Sequence, residues 1–277
     1  MNFSTALGFV AAATIFLHSV LTSTDNWKIF LNEHGIVIVL GGTLAAACIC
    51  FPIGKILHLT VLAFKKMLFG NHPDYPRIIK YIIELGEKSR ADVTFLKKEV
   101  ETMRDPFLRE AITLINDGMS EDQLRDIIEQ RIETHAKRYT IEANMFKTMA
   151  KFPPAFGLLG TTLGMIALLQ QLGGEDATKK IGPAMSIGLV ATLYGISLTN
   201  FFLIPISENL AEANREDQTR HKIILEGIIM IKNKVHPIMI EEKLNSYLLP
   251  SERVNSRGEN GAGGRASGGG NAKVARG

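Results

Sequence analysis

The chain lacks most of what an enzyme needs at a reacting centre. Of 277 residues, two are cysteine, one is tryptophan, and the seven histidines are scattered without ligand spacing. No metal site follows from them. Cys48 and Cys50 stand two apart in an apolar run, where a helix turns them to different faces, so they cannot pair locally. They read as buried small apolar residues. Gly157, Gly160 and Gly164 are spaced like a phosphate loop but lack its Lys–Ser/Thr ending. No nucleophile–base arrangement is evident, so the sequence reads as a non-enzyme with no cofactor. The net charge of +3 is no nucleic-acid footprint, because residues 251–277 alone carry five basic and two acidic side chains.

The most informative absence is charge. Residues 3–22, 35–54, 152–172 and 181–206 contain no Asp, Glu, Lys or Arg. A helix of about 20 apolar residues crosses a bilayer. The expectation is an all-α, polytopic membrane protein with four transmembrane helices and a helical cytoplasmic domain. The divisions are 1–54 for the first two spans, 55–151 for the cytoplasmic domain and 152–206 for the last two spans. Residues 207–250 form C-terminal cytoplasmic helices, and 251–277 a disordered tail holding eight of the 25 glycines. A cleaved signal peptide is disfavoured for the first run, since no basic segment precedes it. Residues 55–151 hold 17 Lys plus Arg, against one in the link 23–34 and two in the link 175–180. By the positive-inside rule the large loop and both termini are cytoplasmic.

The loop reads as helical. Asp74 and Pro76 precede Ile78, Ile79, Ile82 and Ile83 at helical spacing. Asp105–Pro106 is an N-cap followed by proline at the first helical position, in a helix that ends near Gly118. Ser120 and Gln123 make a capping box. The next helix, through Leu124, Ile128, Ile132 and Tyr139, is expected to run unbroken into the third span. A further helix is expected over 207–235, with Leu210, Ile224, Ile228 and Ile231 on its buried side, interrupted by Pro237.

Small residues recur on the last two spans. Pro154, Gly157, Thr161, Gly164 and Leu168 fall on one stripe, and Met185, Gly188, Thr192, Gly195 and Thr199 on another. Glycines let membrane helices approach closely, and threonines offer hydroxyls to a partner helix. A plain packing face is the competing reading. Ions crossing a bilayer usually meet a charged group at membrane depth, yet a carboxylate there costs about 2.5–3.5 kcal/mol and is kept only for function. None lies in the four spans, so a conducting complex would need one from another chain.

The stretches PPAFGLLGTTLG and IGPAMSIGLVATLYG, with four spans around a charged loop, resemble the flagellar motor stator subunits of the MotA/PomA type, in the MotA/TolQ/ExbB proton channel family. The resemblance covers roughly residues 1–248. It implies an ion-conducting inner-membrane stator subunit that couples proton or sodium flow to torque. It implies a peptidoglycan-binding MotB/PomB-type partner carrying the essential membrane Asp, five copies of this chain around two of the partner, and contact with the rotor protein FliG. It assigns Thr161, Thr192 and Ala191 to the ion path, Ala191 standing where the sodium-type relative has threonine. It gives Pro154 and Pro183 a role in conformational coupling. For the rotor contact it points to Arg90 and Glu99, with Lys88 and Lys98 (and Lys97) as neighbours. Prolines in a first helical turn and a solvated charged face are the structural alternatives. A TolQ/ExbB-type energiser, which has one span before its large cytoplasmic region, and a non-conducting scaffold are the competing functions.

Overall fold

The computed structural model describes residues 3–24, 26–69, 73–92, 94–171 and 177–255. The link 172–176 and the Gly-rich tail from 256 onward lie outside them. The described residues form helices and no strand. They divide into two compact units, one drawn from the described residues within 1–72 and 135–215 and the other from those within 73–134 and 216–255.

In the first unit, α1 spans Phe3–Ser23. After a 3₁₀ turn at Trp27–Phe30, a continuous helical run comprises α2 (Glu33–Ile36), a π segment Val37–Gly41 and α3 (Gly42–Cys50). This run begins two residues earlier than the expected span, so Glu33 stands at its head. It also ends sooner, at extended Phe51 before Pro52. A separate helix, α4, then covers Ile53–Phe69, across the expected boundary between the second span and the cytoplasmic loop. The long helix α8 (Glu121–Met149) contributes its end, followed by α9 (Phe152–Gln171) and α10 (Ala177–Leu198). A second π segment, Thr199–Leu203, joins α10 to α11 (Ile204–Lys232).

Length and composition make Trp27–Cys50, and apolar windows within Glu121–Gln170 and Ile181–Lys232, sufficient to cross a membrane, with Leu7–Ser23 a shorter apolar helix. Large side chains on these helices stand in the open, among them Ile49 at 87%, Leu158 at 66% and Leu189 at 60% exposure. Apolar surface on that scale belongs against lipid or other protein chains, and the chain is a membrane protein. Cys48 and Cys50 share this exposure instead of being buried.

The unit boundaries differ from the expected 55 and 151 because α4 and the end of α8 pack together here. Ile56, Leu59 and Ala63 of α4 bury in one cluster with Ala143, Met145, Phe146 and Met149 of α8 and Ile206 and Leu210 of α11. Burying each aliphatic side chain contributes about 1.5–3 kcal/mol, enough to decide which unit a helix joins.

The second unit contains α5 (Tyr75–Ala91), α6 (Phe95–Glu99), α7 (Pro106–Asn116), the beginning of α8, the end of α11 and α12 (Pro237–Asn245). Its core joins Ile79, Ile82 and Leu85 to Leu108 and Ile112, Leu124 and Ile128, Ile224 and Ile228, and Ile240 and Leu244. The caps set its corners. The Asp74 carboxylate accepts from the Arg77 N–H at 3.1 Å, and Asp105 accepts from the Phe107 and Leu108 N–H groups at 2.9 and 3.2 Å. Gly118 takes φ +81°, the left-handed conformation that ends α7. Ser120 and Gln123 bond reciprocally at 3.0 and 3.2 Å, which satisfies two orphan donors at the start of α8. Beyond α12, Asn245 donates to the Val254 carbonyl at 2.8 Å and accepts its N–H at 2.9 Å. Val254 is buried, so residues 251–255 belong to the folded unit and not to the tail.

Asp105 also pairs with the half-buried Arg220 guanidinium. Asp105→Ala removes a cap and leaves that cation only the longer pair with Asp217, at 3.9 Å, and is expected to lower stability by about 2 kcal/mol. Asp105→Asn keeps a capping oxygen and should lose about half as much. Thermal unfolding of the detergent-solubilised protein, followed by circular dichroism, measures both. Equal losses would show that the cap contributes nothing separable from the ion pair.

Candidate functional site

The site begins with the missing Cβ atoms of α9 and α10. A Cβ on Gly157 would lie 3.0 Å from the Ala191 carbonyl oxygen and the Thr192 Cα. One on Gly188 would lie 2.8 Å from the Thr161 Cα, and one on Gly164 2.9 Å from the Ala184 oxygen. Gly195 sits against the backbone of Pro153 and Pro154. The two helices therefore meet backbone to backbone along the stripes that the sequence carries. Met185 is the departure, an exposed end of its stripe at 42%.

This approach brings Thr161 and Thr192 together, both half-buried. Their Oγ1 atoms are 2.5 Å apart. Thr161 reaches the Gly188 oxygen at 2.9 Å and the Gly157 oxygen at 3.3 Å. Thr192 reaches the Gly157 oxygen at 3.1 Å and the Gly188 oxygen at 3.3 Å. Two hydroxyls thus sit between two carbonyls. A hydroxyl has one proton and two lone pairs, and each carbonyl also accepts the helical N–H four residues on, so the four oxygens hold more lone pairs than there are protons to fill them. The group is rich in lone pairs and suited to a cation, or to a water or hydronium that brings its own protons. Neighbouring Thr162 points outward and bonds back to Leu158 at 3.0 Å.

Ala191 lies elsewhere. It is fully buried, its methyl pressed against Gly160 and its backbone against Gly157 and Gly35. It fills a helix contact and presents no surface to a path within this chain. Tyr194 went unremarked in the sequence. Its hydroxyl donates to the Phe30 carbonyl and accepts the Asn32 N–H at 3.2 Å, pinning the segment that leads into α2. Thr43, on α3, is buried with no partner for its hydroxyl. In an α-helix it would bond back to the preceding turn, but here that turn is the π segment Val37–Gly41.

The prolines divide. Pro154 stands in the first turn of α9, as a first-turn reading implies. Pro183 is internal to α10, where it removes a hydrogen bond, so that reading does not apply to it. The helix expected to run unbroken into α9 turns at Ala150–Lys151. Pro153 and Pro154 have no N–H for the carbonyls of Met149 and Ala150. The buried Thr199 hydroxyl donates to the Ala150 oxygen at 2.9 Å. Leaving a buried carbonyl unmet would cost about 1–3 kcal/mol.

In the second unit, Arg90 ends α5 and donates to the carbonyl of Lys234, a residue at φ 52°. Lys88 pairs with Glu84 at 2.5 Å and lies 5.6 Å from the Phe95 ring centroid. The Glu84 hydrogen bond raises the Lys88 ammonium above its ordinary range. Glu99 accepts from the Tyr81 hydroxyl at 3.3 Å. Burial, then the charge of Glu99, pushes that phenol upward. Lys97 and Lys98 are exposed on α6. The Thr94 hydroxyl and N–H hold the Asp92 carboxyl below the usual range. These charged groups cluster around the α5–α6 turn, while Arg77, Lys80 and Arg104 line an adjoining groove that the sequence did not suggest. Among the described residues no group of His, Cys, Asp and Glu could hold a metal.

Comparison with known proteins agrees with this arrangement. The profile of the MotA/TolQ/ExbB proton channel family matches residues 99–222. The chain is 30% identical to a motility protein A of Aquifex aeolicus, over 91% of this chain and 100% of that one. It is 29% identical to the chemotaxis protein PomA of Vibrio alginolyticus, over 92% and 98% of the two chains. Among solved structures, the flagellar MotAB stator complex from Bacillus subtilis contains a chain of similar fold. Its TM-score is 0.81 at 26% identity, over 90% of this chain and 98% of that one. With paired glycine-rich helices, facing threonines and a full-length match to motility proteins, this chain belongs to the MotA/TolQ/ExbB proton channel family as a MotA/PomA-type stator subunit.

Proposed function

We propose that the protein is the ion-conducting subunit of a flagellar stator, coupling proton or sodium flow to torque on the rotor. The observation that carries this reading is the Thr161–Thr192 pair, two hydroxyls set between two carbonyls, in a chain that belongs to the stator family. The apolar runs have no carboxylate of their own. A MotB/PomB-type partner with one membrane Asp supplies it, and the partner named alongside the similar Bacillus chain supports that assembly. In this reading five copies surround two partner chains in the inner membrane. The large loop and both termini are cytoplasmic, following the excess of Lys and Arg in residues 55–151.

The threonine hydroxyls take the ion, or the water that carries a proton, beside the partner's Asp. Ala191 acts only by shaping the helix contact behind them. Pro183, which removes a bond within α10, and Pro154, whose missing N–H leaves the Ala150 oxygen to Thr199, make the places where the helices bend as the ion passes. One charge crossing 100 mV releases about 2.3 kcal/mol, enough to bias a two-state step with no covalent chemistry in this chain. Arg90, Glu99, Lys88 and Lys98 form the charged edge that meets the rotor protein FliG, widened by Arg77, Lys80 and Arg104. Such contacts set orientation and encounter more than affinity. A TolQ/ExbB-type energiser fits less well, because two apolar helical runs precede the polar region here.

Thr192→Val keeps the shape and removes a hydroxyl. Ion flux per complex is expected to fall at least tenfold, and swimming to stop, with the complex still assembled. Pro183→Leu should also stop swimming without loss of assembly. Normal motility of both variants would remove the site assignment. Charge reversal at Arg90 and Glu99 should lower torque about twofold each, partly offset by Lys97 and Lys98, as read from tethered-cell rotation. Swimming speed in sodium-free medium, set against speed with a proton uncoupler, tests the function and names the ion. Insensitivity to both treatments would end the stator reading.

A further inference from the structure

The bond from Thr199 to Ala150 is the first of three rungs. Ser207 donates to the Ala143 oxygen at 3.0 Å, and Asn214 donates through Nδ2 to the Ala136 oxygen at 3.2 Å and to Thr140 Oγ1 at 3.0 Å. All three side chains are buried. The acceptors on α8 and the turn after it fall at 136, 143 and 150, seven apart. The donors fall at 199, 207 and 214, eight and then seven apart. The segments are antiparallel, and the longer interval contains the π segment Thr199–Leu203. There the Ile204 N–H reaches back five residues to the Thr199 oxygen, just before Pro205, which has no N–H.

A seven-residue interval keeps a side chain on nearly the same face, since two α-helical turns take about 7.2 residues. An eight-residue interval would turn it well away. The extra residue of the π segment absorbs that difference, so Thr199, Ser207 and Asn214 face one line of carbonyls. Ala143 and Ala136 lie inside α8 and have helical donors four residues on. Ala150 does not, because that donor would come from Pro154. The Thr199 rung therefore stands where the backbone ladder is interrupted. It also lies seven residues from Thr192, where the stripe of α10 continues into the π segment.

We propose that Thr199, Ser207 and Asn214 form a polar seam whose Thr199 rung positions the α8–α9 joint against the helix bearing Thr192, so that displacement of the threonine pair is delivered to α8. This rests on the stator reading above. Thr199 is a positioning residue and does not touch the ion. The seam makes the end of α8 and the α10–α11 run move together. Without the first rung, ions still pass, but less of their free energy reaches the rotor.

The test uses the full chain assembled with its carboxylate-bearing partner. Thr199→Val removes the hydroxyl at nearly constant volume, and Thr199→Ser retains it. Ser207→Ala removes a rung from a carbonyl that keeps its helical donor, so its folding is less at risk. Flux of the coupling ion per membrane-assembled complex and stall torque per complex are measured for each. The expected result is a torque fall of threefold or more in Thr199→Val and a smaller fall in Ser207→Ala. Flux should stay within twofold of the parent in both, with Thr199→Ser near the parent on both measures. Unchanged torque in Thr199→Val and Ser207→Ala overturns the proposal. So does a proportional fall of flux and torque, or loss of assembly in both. An unaltered parent that carries no ion flux would instead remove the stator reading and leave the seam a packing feature.

Discussion

The closeness of α9 and α10 governs the rest of the site. Four glycines allow it, each facing backbone that a Cβ would strike. A methyl group at Gly157 or Gly188 would force the facing backbone to shift. The contacts that cross between the helices, from Thr161 to the Gly188 oxygen and from Thr192 to the Gly157 oxygen, would be the first to lengthen. In lipid no hydrophobic force drives apolar helices together, so van der Waals fit and interhelical hydrogen bonds must hold the pair. Here both come from the same residues: glycine supplies the fit, and threonine the bonds across it.

A second constraint shapes the ends of these helices. Backbone polar groups away from water must be satisfied within the protein. Pro153, Pro154, Pro183 and Pro205 each remove a donor, and the fold answers in different ways. At Ala150 a side chain from the facing run supplies the missing hydrogen bond. At Pro205 the preceding turn widens into a π segment. The turn at Ala150 and the widened turn at Thr199–Leu203 flank α9 and α10, the helices that carry the threonine pair.

Much of this was legible in the sequence because it rests on local chemistry. The Asp105 cap, the Ser120–Gln123 box and the Gly118 stop depend on neighbours within a few residues, and each forms where it was expected. The two small-residue stripes were visible for the same reason: periodicity on one helix is a local property. Their union, and the facing of Thr161 and Thr192, followed from resemblance and not from spacing. What stayed hidden depends on a second helix. Ala191 has the composition of a path residue, but its burial is set by Gly160 and Gly35. Helix α4 stayed hidden because its lysines interrupt, in sequence, an apolar face that only packing reveals. The exposure of Cys48 and Cys50 follows from which side of α3 meets the rest of the unit. The eight-residue step between Thr199 and Ser207 looks like a lost register until the widened turn is seen.

The glycines fall in pairs seven apart, Gly157 with Gly164 and Gly188 with Gly195, and each is a notch holding a ridge of the opposite helix. Between the notches stand side chains with volume, such as Ala191 and Thr161. One helix cannot glide along the other by a fraction of a turn without driving a ridge into one of them. The pair resembles a key in a keyway: it can tilt or swing as a block, but it has no continuous axial travel. A motor element built this way would deliver its stroke by changing angle and not by telescoping.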